Sequence, residues 1–286
     1  MKLYALSDIH LNYEVNRQAL AALPPHPDDW LILAGDIGES LEHLIFALRL
    51  LVPRFRQVVW VPGNHDLWTL PNDSSGLRGE NRYLTMVAIC RSFGVLTPED
   101  PYHIWPGEGA PCAIAPLFLL YDYTFRPDDV PAEGAIQWAM DEGVLATDES
   151  FLYPDPYATR IEWCRHRCEI TAYRLSQVPN HLSLVLINHF ALRRDVVHLP
   201  LCPRFSLWCG TRTTEDWHRR FRAKVVVSGH LHVRATDWRD GVRFEEVSLG
   251  YPPQWKQQRG AESYLREILP GPAVPNGGVA ERVYHR

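Results

Sequence analysis

The sequence predicts an α/β fold built on a parallel sheet. Short apolar runs recur along the 286 residues, and segments with helical spacing separate the first three runs. Strands that alternate with helices pair in parallel through right-handed crossovers. Hydrophobic and charged contents of 46% and 22% are ordinary for a globular protein. We expect a single domain over 1–286, with a core at about 1–250.

The first three predicted strands lie at 3–6, 30–34 and 57–61. Each is a short apolar run that stops at a polar or glycine-containing loop, as a buried strand does. Between them, about 14–23 has helical spacing and ends at two prolines, and 41–51 has the apolar stripe of an amphipathic helix. The order of these elements is the basis for the parallel sheet.

The second half of the chain is predicted to continue the sheet after a less regular stretch. A helix at 81–93 precedes an extended segment at 94–96 and short strands or a hairpin within 98–116. An aromatic, acidic and proline-rich insertion, or flap, covers about 119–157. A helix at 157–178 and strands at 182–187 and 224–227 follow. Asp240-Gly241 predicts a hairpin of 233–238 with 242–247, and about 256–286 has the composition of a loosely ordered tail.

Composition and charge restrict the classes of function. A net charge of −5 does not favour binding to nucleic acid. No apolar run is long enough to cross a membrane, and the N-terminus does not have the pattern of a signal peptide. The six cysteines contain no C-x-x-C pair, so we expect reduced, structural thiols and a cytoplasmic protein. The sequence leaves the oligomeric state open.

Polar side chains with metal-binding chemistry follow five of the predicted strands. In open α/β sheets, ligands bind beyond the carboxyl ends of the strands, so these side chains can converge. Imidazoles with carboxylate and amide oxygens suit manganese, iron, zinc or nickel. They are too many for one ion, so we predict two divalent metal ions with Asp36 as the bridge. The predicted ligands are Asp8, His10, Asp36, Asn64, His189, His230 and His232.

A structural interpretation competes with this one at each single position. A histidine after a strand is more often a hydrogen-bonded structural residue, and Gly63-Asn64-His65-Asp66 alone could be a turn. Recurrence at five strand ends in order argues for a common site, because unrelated residues would have to be placed independently.

The strand-end motifs resemble a known family. Asp8-x-His10, Gly35-Asp36, Gly63-Asn64-His65-Asp66, Asn188-His189 and Gly229-His230-x-His232 match in order the motifs of the calcineurin-like metallophosphoesterase superfamily. The match spans roughly 3–250. One departure is Asn188, where many members carry glycine.

The resemblance implies a four-layer α/β/β/α sandwich of mixed sheets, with the metal site at the carboxyl ends of the strands, and a division of the metal ligands. One ion would be held by Asp8, His10, Asp36 and His232, and the other by Asp36, Asn64, His189 and His230.

The expected reaction is hydrolysis of a phosphodiester or phosphomonoester. Two divalent ions lower the pKa of a bridging water, and the resulting hydroxide attacks the phosphate in line. His65 is adjacent to a predicted ligand and is the expected general acid for the leaving oxygen. We expect Asp66 to orient His65; the alternative is a structural role in capping the following turn.

The sequence gives weaker evidence about the substrate than about the metal ligands. Arg193 and Arg194 could grip a phosphate oxygen, and Tyr123 and Arg126 of the insertion could line a pocket. Equally, the arginines could be a solvated pair and the aromatic residues could only pack the insertion.

Other loops look similar to a branch of the superfamily that removes the phosphopantetheine arm from acyl carrier protein. These loops are 60–68, 96–102 and 115–123. The resemblance implies an acyl or peptidyl carrier protein as partner, whose acidic surface arginines 193, 194, 204 and 212 would complement. The alternatives are a nuclease or cyclic-nucleotide phosphodiesterase, a small-molecule phosphatase, and a non-catalytic binding scaffold.

Overall fold

The computed structural model describes residues 1–272 and 282–285. Its strands, in chain order, are β1 (Leu3–Leu6), β2 (His26–Leu33), β3 (Phe55–Trp60), β4 (His103–Ile104), β5 (Cys112–Pro116), β6 (Ser183–Ile187), β7 (Ala223–Ser228), β8 (Ala235–Arg239), β9 (Val242–Glu246), β10 (Arg266–Leu269) and β11 (Val283–Tyr284).

The helices are α1 (Glu14–Ala21), α2 (Leu41–Leu51), α3 (Asn64–Leu67), α4 (Gly79–Ser92), α5 (Ala135–Met140), α6 (Asp148–Phe151), α7 (Arg160–Ser176) and α8 (Trp217–Arg220). Ser40 and Thr159 cap α2 and α7, because each side chain accepts a hydrogen bond from the main chain three residues later. None of the described helices is long and apolar enough to span a membrane.

The strands form two mixed sheets. The first has the order β10-β1-β2-β3, with β1, β2 and β3 parallel and β10 antiparallel at the edge. The second has the order β11-β8-β9-β7-β6-β5-β4, in which β5, β6, β7 and β9 run parallel. The sequence therefore predicts the parallel pairing correctly, because its strands alternate with helices in the first part of the chain.

Both faces of the central strands are buried, since alternate residues of a strand point to opposite faces. Leu3 and Ala5 of β1 pack in an apolar layer with Val185 and Val225 of the second sheet. Leu6, from the other face of β1, belongs to the larger core that also contains helix residues. The two sheets thus pack face to face with helices outside, and the molecule is the expected four-layer α/β/β/α sandwich.

The Asp-Gly hairpin is present: β8 and β9 are antiparallel, and both Asp240 and Gly241 have positive φ. The predicted hairpin within 98–116 is also present, as β4 and β5.

The expectation of a loosely ordered tail from about 256 is wrong for part of that range. Arg266–Leu269 is the edge strand beside β1, and Val283–Tyr284 pairs with β8. The prolines that suggested a loose tail begin at Pro270, directly after the edge strand, and edge positions tolerate neighbouring prolines. The remainder of that prediction, at 273–281 and 286, lies outside the described residues.

Candidate metal centre

The seven predicted ligands lie beyond the carboxyl ends of β1, β2, β3, β6 and β7, six of them on loops and Asn64 at the start of α3. The backbone there adopts an uncommon conformation: Asp8, His10, Asp36, His230 and His232 all have φ between 46° and 72°. Residues other than glycine rarely occupy this left-handed region, and such strain is concentrated at functional sites. The loops therefore turn sharply and direct these side chains together.

One group of side chains gathers around Asp8. Potential ligand atoms of Asp8, His10 and His232 lie within 4.8 Å of one another. His232 Nε2 is 3.0 Å from Asp8 Oδ1 and 3.2 Å from His10 Nε2. The other carboxylate oxygen, Oδ2, accepts hydrogen bonds from the hydroxyls of Ser7 and Ser248. The carboxylate is thus fixed, with one oxygen turned toward the histidines.

A second group gathers around Asp36 and Asn64. Potential ligand atoms of Asp36, His189 and His230 also lie within 4.8 Å of one another. Asn64 Oδ1 lies 3.1 Å from both His189 Nε2 and His230 Nδ1. Asp36 is near His10 as well, in a third group with His65. It therefore lies between the two sets of histidines, where the sequence predicts the bridging carboxylate.

The charge states of these residues follow from burial and from their neighbours. Burial lowers the pKa of His10 and of His230 to about 3, so both rings are neutral and keep a lone pair for a cation. Burial would also lower the pKa of His189, but the Asp36 carboxylate raises it to about 10. Burial would raise the pKa of Asp8, but His232 holds it well below the ordinary value.

Close packing around the cluster leaves no space for a side chain at two glycines. A Cβ at Gly63 would overlap the carboxylate of Asp36, and one at Gly35 would lie 2.5 Å from His189 Nδ1. Gly35 also has φ of 90°, which only glycine adopts readily. Glycine at these two positions therefore allows the neighbouring loops to approach the candidate ligands closely.

His65 lies beside the cluster. Its ring is 4.7 Å from that of His10, measured between centroids, and 3.7 Å from that of Trp68. Its Nδ1 is 3.3 Å from Glu39 Oε1. Burial would lower the pKa of His65, but Asp36 and Glu39 raise it above the ordinary value. A protonated ring of this kind could donate a proton to a substrate oxygen.

The expectation that Asp66 pairs with His65 requires correction, because Glu39 has that position. The Asp66 carboxylate instead accepts main-chain hydrogen bonds from Asp36, Ile37, Gly38 and Gly63. Burial and the nearby Asp36 raise its pKa to about 7. Asp66 therefore joins the loop after β2 to the loop after β3, closer to the structural alternative than to a contact with the acid.

Asp148 is a site residue that the sequence analysis missed. It is buried in the insertion, and its Oδ1 accepts hydrogen bonds from Asn64 Nδ2 at 2.9 Å and Trp68 Nε1 at 2.7 Å. One carboxylate thus orients a candidate ligand and the indole against which His65 packs. No motif spacing marks it, since the contact joins residues 84 positions apart.

Two further residues missed by the sequence analysis hold the loop of His232. The Glu246 carboxylate accepts hydrogen bonds from the main-chain N–H groups of His232, Val233 and Arg234. Gln254 Oε1 lies 2.7 Å from His232 Nδ1. Such outer contacts fix the orientation of a metal-binding histidine.

The residues predicted to bind substrate make their described contacts elsewhere. The Tyr123 hydroxyl lies between Glu149 and Arg160, and Arg126 donates to main-chain carbonyls of the insertion. Arg193 pairs with Asp195 and Asp240, while Arg194 begins a short 3₁₀ segment. Arg204 and Arg212 also have acidic partners, Glu142 and Asp128. Most of this positive charge is neutralised within the chain.

The chain is similar to known proteins over most of its length. The family model described as calcineurin-like phosphoesterase matches residues 1–234. The chain is 46% identical over 278 residues to the [acyl-carrier-protein] phosphodiesterase PptH of Mycobacterium tuberculosis, covering 96% of this chain and 85% of the relative.

Two solved structures are similar to this chain to different degrees. The crystal structure of phosphopantetheinyl hydrolase (PptH) from Mycobacterium tuberculosis matches with a TM-score of 0.90 and 45% identity, over 95% of this chain and 96% of that chain. TT1561 of Thermus thermophilus matches with a TM-score of 0.45 and 13% identity, over 86% and 88% of the two chains.

Proposed function

The chain belongs to the calcineurin-like phosphoesterase family of metal-dependent hydrolases, and we propose that it removes phosphopantetheine from a carrier protein. The single observation that supports this substrate is the identity of 46%, over 96% of the chain, to an acyl-carrier-protein phosphodiesterase. The partner is an acyl or peptidyl carrier protein whose serine bears the phosphopantetheine arm.

The side chains at the centre fit a pair of divalent ions. Four imidazoles, two carboxylates and one amide oxygen converge there, and these are ligands that such ions accept. Asp8, His10, Asp36 and His232 would hold one ion; Asp36, Asn64, His189 and His230 would hold the other. The bound ions supply a hydroxide near neutral pH and neutralise the phosphate. The identity of the metal, which is manganese, iron, zinc or nickel, remains a prediction. A cytoplasmic location also remains a prediction.

Four residues of the chain have proposed roles beside the metal ions. Asp36 lies between the two sets of histidines and is the proposed bridge. His65 donates a proton to the leaving oxygen, and Glu39 keeps its ring protonated and oriented. Asp66 holds together the two loops that carry Asp36 and Asn64. The acid allows cleavage of a poor leaving group such as a serine alkoxide.

A panel of substrates tests this function. The protein loaded with manganese, iron or zinc is incubated with holo carrier protein, a cyclic nucleotide, single-stranded DNA, a phosphomonoester and bis(p-nitrophenyl) phosphate. We expect metal-dependent loss of phosphopantetheine from the carrier, detected as a mass decrease, at a kcat/KM above that for the other biological substrates.

Two results would contradict the proposal. Preferred cleavage of the cyclic nucleotide, DNA or monoester would assign the substrate to one of the alternative classes. Absence of turnover on the whole panel, with less than one ion bound per chain, would favour the non-catalytic scaffold.

A further inference from the structure

A large cavity adjoins the candidate metal centre on the side of His232. Its volume is about 660 Å³, within the range of small-molecule sites. Two lining residues connect it to the centre: Leu231 lies between His230 and His232 in the chain, and Gln254 contacts the His232 ring. The cavity therefore lies beside the loop that carries His232.

The lining of the cavity is mainly apolar; it includes the cationic side chains of Lys256 and Arg234 and no carboxylate among the described residues. Leu199, Leu231, Val233 and Trp255 form much of its wall, and Leu199, Leu231 and Val233 belong to one apolar cluster. A site of this composition does not suit a cation, because no carboxylate would pair with it. Its apolar wall suits a chain that combines methyl groups with a few amides.

The guanidinium of Arg234 also lines the cavity, but its donors are already used. It donates to the main-chain carbonyls of Ser248, Leu249, Gln254 and His285. These main-chain contacts hold Arg234 in place as part of the wall.

We propose that this cavity binds the pantetheine arm of the substrate. The inference rests on the proposed function for its choice of ligand. The arm carries two methyl groups, two amides and a terminal thiol, which match the mainly apolar wall of the cavity. The mouth beside His232 would receive the phosphate end.

The position of the acid gives the orientation of the substrate. His65, Glu39 and Trp68 are not among the described lining residues, although His65 and His232 each contact His10. With the arm in the cavity, the ester oxygen left on the side of His65 is that of the carrier serine. The oxygen of a hydroxide ion bonds to phosphorus, the bond from phosphorus to serine breaks, and serine Oγ keeps the electron pair and takes the proton of His65.

Inhibition of an armless substrate tests the cavity. Hydrolysis of bis(p-nitrophenyl) phosphate by the manganese-loaded protein is measured with inorganic phosphate or S-methyl 4′-phosphopantetheine as inhibitor. We expect the inhibition constant of S-methyl 4′-phosphopantetheine to be at least about tenfold lower than that of phosphate, a difference of ~1.4 kcal/mol. Leu199→Trp, which fills the cavity, should abolish this advantage, so that the two inhibition constants become equal within that variant. Leu84→Trp, an exposed leucine on α4, is the matched control and should retain the advantage.

Equal inhibition constants for the two compounds in the wild-type protein would overturn the proposal, as would a full advantage in Leu199→Trp. Neither of the two inhibition constants is measured with the carrier protein. An arm preference in a protein that leaves holo carrier intact would therefore refute the proposed function and retain the cavity as an arm site.

A second measurement needs no substitution. Cys202 lines the cavity and is the partly exposed cysteine, whereas the other five are buried. We expect S-methyl 4′-phosphopantetheine, but not phosphate, to slow the alkylation of Cys202 by N-ethylmaleimide in the metal-loaded protein. Equal alkylation rates with the two compounds would place the arm outside the cavity.

Discussion

At the scale of single residues, His65 is distinguished from its neighbours by its contacts. It packs against Trp68 and pairs with Glu39, whereas the adjacent Asn64 faces His189 and His230. Adjacent positions in one short helix therefore have different proposed roles, one in proton transfer and one in metal binding.

His65→Ala should retain both ions and lose activity on substrates with a poor leaving group. Removal of a general acid costs about 10²–10⁴-fold. The loss of kcat on holo carrier should therefore greatly exceed the loss on bis(p-nitrophenyl) phosphate, whose leaving group needs little protonation. His230→Ala is the contrasting variant: it should lower the metal content measured by mass spectrometry. Equal losses on both substrates with full metal content would remove His65 from proton donation.

Residue types and their order along the chain were sufficient to predict the cluster of seven. They were insufficient for Asp66, because adjacency in sequence does not determine which way a buried carboxylate points. Its partners are main-chain groups of the loop after β2. Glu39 and Glu246 were missed for a related reason: each acts through a loop whose shape is set by tertiary packing.

At the scale of elements, the insertion at 119–157 is connected to the core through the site. Helix α6 places Asp148 against Asn64 and Trp68, and Leu120 and Tyr121 are buried in the main core. The sequence predicted an insertion from its irregular composition, but composition does not reveal a single buried contact of this kind.

Asp148→Ala should weaken metal binding and catalysis together. It leaves the Asn64 amide and the Trp68 indole without their acceptor, and loss of such outer contacts costs about 10–100-fold in metal affinity or activity. Asp148→Asn keeps an oxygen acceptor and should lose less. Asp141→Ala, an exposed acid of the same insertion, is the control. Metal titration and kcat of a folded Asp148→Ala protein that equal the wild-type values would contradict this role.

Helices α4 and α7 are joined through Glu99. Its carboxylate accepts hydrogen bonds from the Tyr83 hydroxyl and from Arg167. Burial would raise the pKa of Glu99, but Arg167 and the Tyr83 hydroxyl hold it below the ordinary value. The contact therefore stabilises the fold fully above the unfolded-state pKa of about 4.3, and this contribution disappears as the pH falls through the lower folded-state pKa.

Glu99→Gln should lower the free energy of unfolding at neutral pH by about 1–3 kcal/mol. The difference from the wild-type protein should shrink as the pH is lowered below about 4. Urea unfolding at several pH values measures both effects, with the exposed Glu133→Gln as control. A difference that does not change with pH would show that the charge of Glu99 does not contribute.

At the scale of the whole molecule, the two sheets and the five strand-end loops form one arrangement. Apolar residues between the sheets fix the strands, and the strand ends bring the candidate ligands together. The alternation of strands and helices predicted the parallel pairing, and the family resemblance supplied the sandwich. The strand at Arg266–Leu269 escaped prediction because edge strands are short and their pairing depends on a partner distant in sequence.

The central claim is that these loops hold two metal ions, and anomalous X-ray scattering tests it most directly. Crystals of the metal-loaded protein, measured at the absorption edge of the bound metal, should give two peaks per chain about 3.5–4 Å apart. One peak should lie among Asp8, His10, Asp36 and His232, and the other among Asp36, Asn64, His189 and His230. A single peak, or peaks away from Asp36, would contradict the dinuclear centre.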